Sequence, residues 1–202
     1  MRIIFATGNA DKMREIREIY GDTDYEIVSM KEAGIDVDIV EDGETFEENA
    51  MKKARAVFDA CGGDSVVLAD DSGLEVDYLG GEPGIYSARY LGEDTPYSEK
   101  NRVIIERLSG VPKEERTARF VCTIAAVFPD GHTAVKRGTI EGYIGWESVG
   151  ENGFGYDPYF FYAPLGKSFA ELSADEKNAV SHRKRALLKL REALDVEDRS
   201  RI

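Results

Sequence analysis

The 202-residue sequence predicts an α/β protein built as a single domain over residues 1–202. Three observations point there. Strand-like apolar runs alternate with amphipathic helical stretches from the first residues onward, and Pro129-Asp130-Gly131 separates two long β-rich runs. No repeat, low-complexity tract or linker divides the chain. A chain of this length supports one substantial core, which a cleft could split into two lobes.

Arg2 to Ala6 is rich in Ile and Phe and stops at Thr7-Gly8-Asn9, so it reads as a buried first strand entering a tight loop. Lys12 to Tyr20 follows with Met13, Ile16, Ile19 and Tyr20 at helical spacing. Tyr25 to Met30 reads as a second strand, and Ile35 to Val40 as an exposed strand or an extended loop. Thr45-Phe46-Glu47-Glu48 has capping-box spacing and opens a helix from about Phe46 to Cys61, closed by Gly62-Gly63. Val66 to Ala69 is the strongest apolar run, a short buried strand expected to give way to a loop at Asp70-Asp71. Leu74 to Leu79 reads as a further strand, Gly80 to Gly84 as a turn and Ser98 to Leu108 as a helix. Thr117 to Phe128 and Thr133 to Ile144 predict a long two-stranded ribbon. Gly150 to Tyr162, rich in Gly and aromatics, reads as a shaped loop, and Ser173 to Glu176 caps a last helix reaching about Leu194.

Charge narrows the function. With 39 acidic against 26 basic side chains, the net charge of -13 argues against nucleic acid and anionic membranes as partners. An anionic substrate would need a local basic patch or a metal. The apolar start is too short for a signal peptide and no run approaches membrane-spanning length, so a cytoplasmic protein is expected. Cys61 and Cys122 lack metal-ligand spacing and read as reduced packing residues.

Three sets of residues could carry chemistry. Thr7, Gly8, Asn9, Ala10, Asp11 and Lys12 lie between the first strand and its helix, where loop amides, the helix dipole and a lysine suit a phosphate. An ordinary strand-to-helix turn with a solvated lysine would look the same. The acids Glu41, Glu44, Asp70 and Asp71 come from two segments, a pattern that suits Mg²⁺, although seven acids without a base between Asp36 and Glu48 also suit a solvated surface. Asp71 or Ser72 could equally cap an Asx turn. Phe154-Gly155-Tyr156-Asp157 offers a ring to stack on a nucleobase, with donors from His182 and Arg183 for a ring carbonyl. Six basic residues and no acid lie between Lys177 and Arg191, which also fits a cationic helix end. On one continuous helix Lys177 and His182 would lie roughly 140° apart, so a break near Asn178 to Ser181, with Ser181 as a new cap, is expected.

Taken together, the chain resembles the inosine triphosphatase-like pyrophosphatases, a family acting on noncanonical purine nucleoside triphosphates such as inosine and xanthosine triphosphate. The resemblance runs through Thr7-Gly8-Asn9-x-x-Lys12, Glu41 to Asn49, Asp70-Asp71-Ser72-Gly73-Leu74, Gly84-Ile85-Tyr86-Ser87-Ala88-Arg89, Phe154-Gly155-Tyr156-Asp157-Pro158 and Ser181-His182-Arg183. It implies a long mixed β-sheet with flanking helices, two lobes around a deep substrate cleft, and a homodimer. It also implies hydrolysis of ITP, dITP and XTP to the monophosphate and pyrophosphate with Mg²⁺. On this chain Thr7 to Lys12 would hold phosphates, and Glu41 with Asp71 would organise the metal. Asp71 would be the base for the attacking water, with Ser72 a substrate contact. Phe154 would stack on the purine, and Gly155, Tyr156, Asp157, Lys177, His182 and Arg183 would complete the base and sugar pocket.

Overall fold

The computed structural model describes residues 1–200, the side chains of Arg199 and Ser200 excepted. These residues form seven strands and five α-helices: β1 Arg2–Phe5, α1 Ala10–Ile19, β2 Glu26–Ser29, α2 Phe46–Ala60, β3 Val66–Val76, α3 Tyr97–Arg107, β4 Thr117–Val127, β5 Thr133–Ile144, β6 Phe160–Tyr162, β7 Lys167–Ser168, α4 Ala174–Val180 and α5 His182–Ser200. The strands form one mixed sheet in the order β2-β1-β3-β4-β5-β6-β7. β1 runs parallel to β2 and β3, whereas β6 is antiparallel to β5 and β7. The expected ribbon is therefore no free-standing hairpin, because β4 lies between β3 and β5.

Chain contacts divide the protein into two compact units. The first comprises Met1–Asp71, Cys122–Gly138 and the chain from Arg183 onward. Here alternation along the strands decides which helix each side chain meets. Ile3, Phe5, Val66 and Leu68 join Met13, Ile16 and Ile19 of α1 and Leu187, Leu190 and Leu194 of α5 in one buried cluster. Ile4, Ala6, Val67 and Ala69 join Ala50, Ala54 and Val57 of α2 in another. Both faces are covered, as parallel strands require, so these strands read as unbroken apolar runs. Each fully buried Leu or Ile here contributes about 1.5–3 kcal/mol relative to an exposed one. The order β2-β1-β3 reverses direction at β1, and the carboxyl ends of strands at such a reversal are where open α/β sheets bind ligands.

The second unit comprises Ser72–Val121 and Thr139–His182. Its core gathers Leu74 and Val76 of β3, Ile104 and Leu108, Ala118 and Phe120 of β4, Ile140 and Ile144 of β5, and Phe160, Phe169 and Leu172. β6 lies so close to β5 that a Cβ on Gly142 would stand 2.4 Å from the Phe161 carbonyl oxygen.

Three expectations need correction. Phe160–Tyr162, read as the end of a shaped loop, is strand β6, held extended by its pairing with β5. Asp70-Asp71 does not end a strand: β3 runs unbroken from Val66 to Val76. The polar residues stay extended because β3 has a strand neighbour on each side, and Leu74 and Val76 resume the buried alternation. Asp77–Leu79, assigned to a further strand, is a 3-10 turn. The expected break does occur, with Ser181 extended (φ -62, ψ 149) between α4 and α5.

Candidate active site

Period-two alternation separates the paired aspartates. Asp70 follows the parity of Leu68 and meets α1 and α5, while Asp71 follows Ala69 and meets α2. On the α2 side, Lys53 Nζ donates to Asp71 Oδ1 and Glu41 Oε2, both at 3.0 Å. Asp71 Oδ2 is buried and has no hydrogen-bond partner. Burial pushes the Asp71 carboxyl above the usual range, Lys53 pulling it back only in part while Glu41 and Asp70 push the same way. Burial lowers Lys53, but Asp71, Asp70 and Glu41 outweigh it and leave its ammonium firmly protonated.

Glu41 is carried by the segment before α2, and Asn49 holds that segment to the helix by accepting from Gly43 N at 2.8 Å. The fit is close, since a Cβ on Gly43 would lie 2.7 Å from Asn49 Oδ1. Thr45 accepts from Glu48 N at 3.1 Å and starts α2. The Glu48 carboxylate answers Glu44 N rather than the Thr45 amide, so only half of the expected capping box forms.

On the other face Lys12 Nζ lies 2.9 Å from Asp70 Oδ2, and Arg183 Nη2 lies 3.5 Å from the same oxygen. The Arg183 guanidinium also pairs with Glu15 of α1. Asp70, Arg183 and Glu15 are all buried. Burial would raise the Asp70 carboxyl, but Lys12, then Arg183 and Lys53, overcome it and hold Asp70 well below the usual carboxylate range. The Arg183 guanidinium, expected to read a base carbonyl, is engaged by the carboxylates of Glu15 and Asp70. In the loop before α1, Asn9 Oδ1 accepts from Asp11 N and Lys12 N at 2.9 and 3.1 Å, and Thr7 Oγ1 accepts from Asn9 N. The amides of Gly8 and Ala10 take part in none of these bonds. Asp11 is paired with Arg14 at the surface.

In the second unit, Asp157 Oδ2 accepts from Phe154 N and from Lys177 Nζ, both at 2.8 Å. Lys177 Nζ also lies 4.8 Å from the Phe154 ring centroid. This carboxylate therefore fixes both the ring and the lysine behind it. Gly155 adopts φ +70, a conformation that suits glycine, and its carbonyl accepts from Asn101 Nδ2 at 3.0 Å. Tyr156 is buried, donates to the Ser87 carbonyl at 2.8 Å and meets Tyr97 edge-on. His182 stacks on Phe120 with centroids 5.1 Å apart. Ser72 stands half-buried on β3.

Of the four acids singled out from sequence, Glu41, Asp70 and Asp71 are drawn into these clusters, whereas the Glu44 side chain is exposed. Lys53, Glu15 and Asn49 were missed. Their signal was position: Lys53 and Asn49 fall on the buried face of α2 among Phe46, Ala50, Ala54 and Val57, and Glu15 adjoins Ile16 on α1. A charged or amide side chain on an apolar face needs a buried partner.

Among the described residues no group of three or more His, Cys, Asp or Glu is placed to hold a metal ion. Mg²⁺ does not require one, since it takes one or two carboxylates and completes its shell with water and phosphate oxygens. The unpartnered Oδ2 of Asp71 and the half-exposed Glu41, both beside Lys53, fit that requirement.

Comparison with known proteins gives one family. A model described as the Ham1 family matches residues 3–193. The chain is similar to a dITP/XTP pyrophosphatase of Clostridium perfringens, 50% identical over 197 residues that cover 96% of this chain and 97% of that one. A dITP/XTP pyrophosphatase of Bacillus subtilis is 47% identical over 95% of this chain and 96% of its own. Among solved structures, the Ham1 protein of Staphylococcus aureus aligns with a TM-score of 0.86 at 41% identity, covering 98% of this chain and 100% of that one.

Proposed function

The chain belongs to the Ham1 family, and from that premise we propose that it hydrolyses dITP, ITP and XTP to the monophosphate and pyrophosphate. The relatives' names support the substrate class. The observation that carries the reaction is the contrast between the two aspartates. Asp70 is locked into ion pairs, while Asp71, paired with Lys53 through Oδ1, keeps Oδ2 without a partner and has a raised proton affinity. A buried carboxylate with a raised pKa is a better general base than an ordinary one.

In the proposed reaction a water attacks the α-phosphorus and gives its proton to the Asp71 carboxylate. The new bond forms from the water oxygen to phosphorus, and the bond from that phosphorus to the α–β bridging oxygen breaks. Pyrophosphate leaves with the electron pair. Lys53 keeps Asp71 oriented and ionised until the proton arrives, and Lys12, steadied by Asp70, holds phosphate charge with the loop from Thr7. Glu41 and Asp71 would hold Mg²⁺, which when bound neutralises charge on the triphosphate. No covalent nucleophile is needed, because transfer of this kind rests on alignment and charge neutralisation.

For the base, Phe154 is assigned to stacking, with Asp157 and Lys177 setting its position. Gly155 and Tyr156 shape the wall, Ser72 is a substrate contact, and His182 contributes a donor to the purine carbonyl. Arg183 is assigned to positioning Asp70, and through it Lys12. Donors facing a carbonyl at purine position 6 would be left unpaired by an adenine amino group, so ATP is a poor substrate. The protein acts as a cytoplasmic homodimer in this reading. Among the described residues no helix is long and apolar enough to cross a membrane.

The test is to incubate the protein with Mg²⁺ and, separately, ITP, XTP, GTP and ATP, resolving products by phosphorus NMR. Pyrophosphate from ITP and XTP with little from ATP is expected. Release of orthophosphate, or equal turnover of ATP, contradicts the proposal.

A further inference from the structure

Buried lysines and arginines in this protein are otherwise answered. Among the described residues, Lys53 meets Glu41 and Asp71, Lys177 meets Asp157, Arg183 meets Glu15 and Asp70, and Lys100 donates to the Ala88 carbonyl. Arg116 is the exception. It is 5% exposed, and its Nε and Nη1 are buried with no hydrogen-bond partner. A guanidinium stays charged at any physiological pH and presents five donors in a planar fork. Burying one unpaired is strongly unfavourable, so such a position calls for an oxyanion that its own surroundings do not supply.

Those surroundings cover the guanidinium with a ring. Arg116 follows the 3-10 turn Lys113–Glu115, and its carbonyl accepts from Ile144 N at 2.9 Å. Two residues beyond Ile144, Trp146 covers the guanidinium, with Cζ 4.0 Å from its ring centroid. Lys113, three residues earlier, lies over Tyr143 at 4.3 Å. A 3-10 turn eclipses positions three apart, so both cations are presented on one side, each over a ring. Stacking occupies the face of a guanidinium and leaves its edge for two parallel bonds to a carboxylate or phosphate. Trp146 itself is 43% exposed.

We propose that Arg116 and Trp146 form an oxyanion-binding site, other than the Asp70 and Asp71 cluster, that takes a carboxylate or phosphate group on the Arg116 edge beneath the indole. The group is either a free anion such as inorganic phosphate or an acidic side chain from a second copy of this chain.

Trp146 is the only tryptophan in the sequence, so its emission reports on the site directly. Titrating the full chain with inorganic phosphate, and in parallel with acetate, is expected to give a saturable emission shift. That shift is lost in Arg116→Gln and survives in Arg116→Lys with affinity about tenfold weaker, since an ammonium lacks the planar fork. If the anions leave emission unchanged but dilution of the protein shifts it in the wild type and not in Arg116→Gln, the second copy supplies the group. Light scattering over the same dilution then shows a dimer that Arg116→Gln weakens. Emission indifferent to phosphate, acetate and dilution overturns the proposal, as does a phosphate shift undiminished in Arg116→Gln. Should Arg116→Gln fail to fold, Arg116→Lys against the wild type decides the same question.

Discussion

Asp70 and Asp71 occupy successive positions of β3 and face opposite sides of the sheet, Asp70 toward Lys12 and Arg183 and Asp71 toward Lys53. Two identical side chains one residue apart are thereby given opposite proton affinities, one lowered and one raised. In the proposed reaction the first is an anchor and the second the base.

Substitution should separate these roles. Asp71→Asn is expected to lower kcat by about 10²–10⁴-fold while the protein stays folded, because it removes a general base. Asp70→Asn leaves Arg183 and Lys12 without their shared carboxylate, and breaking a buried pair in this way costs about 3–5 kcal/mol. Thermal unfolding and steady-state kinetics on both variants check this, and near-normal turnover by Asp71→Asn contradicts the assignment.

Lys53→Met removes the cation that pulls the Asp71 pKa down. The acid limb of the kcat/KM profile should then move to higher pH. Loss of one preorganised charge should also lower kcat by about 100-fold. An acid limb that stays in place would mean that Asp71 is not the group seen in the profile.

The two aspartates should also leave opposite marks on stability. Asp70 titrates below its ordinary 3.8 in the fold, so its contribution is present above that value and is lost as pH falls through the lower folded one. Asp71 is raised above 3.8, so its ionisation opposes folding at neutral pH and the penalty disappears as acid protonates it. The stability gap between wild type and Asp70→Asn should be constant above about pH 5 and narrow below about pH 4. Denaturant unfolding across that range measures it, and a gap that is flat into acid contradicts the pairing.

Phe154→Ala should lower kcat/KM for ITP by about 10–100-fold, as one lost base stack is worth about 1–3 kcal/mol. Phe154→Tyr should restore most of it. Lys177→Met, which leaves the ring but removes its backing cation and the Asp157 partner, should raise KM more than it lowers kcat. Equal kcat/KM for Phe154→Ala and wild type would remove the ring from the binding site.

Much of this was legible in the sequence because local signals agreed with the final fold. The caps at Thr45 and Ser173, the turn at Pro129-Asp130-Gly131 and the break at Ser181 all come from short-range chemistry. The course of β3 was not legible beyond Ala69. Polar residues at 70–73 imitate a loop unless strand neighbours on both sides are known, and those neighbours come from distant segments. The same limit hid Lys53. Its place on the buried face of α2 marked it as needing a partner, but only the pairing of β3 with β1 and the covering of that face by α2 bring Asp71 to it. Arg183 shows the converse: its type suggested a base reader, and nothing in the sequence signalled the ion pairs with Glu15 and Asp70 that the fold provides.

The most direct measurement is hydrolysis of ITP in 18O-labelled water with Mg²⁺, followed by mass analysis of both products. Attack at the α-phosphorus places the label in inosine monophosphate and leaves pyrophosphate unlabelled, at a rate that Asp71→Asn nearly abolishes. Label in pyrophosphate, or a rate indifferent to Asp71, would contradict water activation by Asp71 at the α-phosphate.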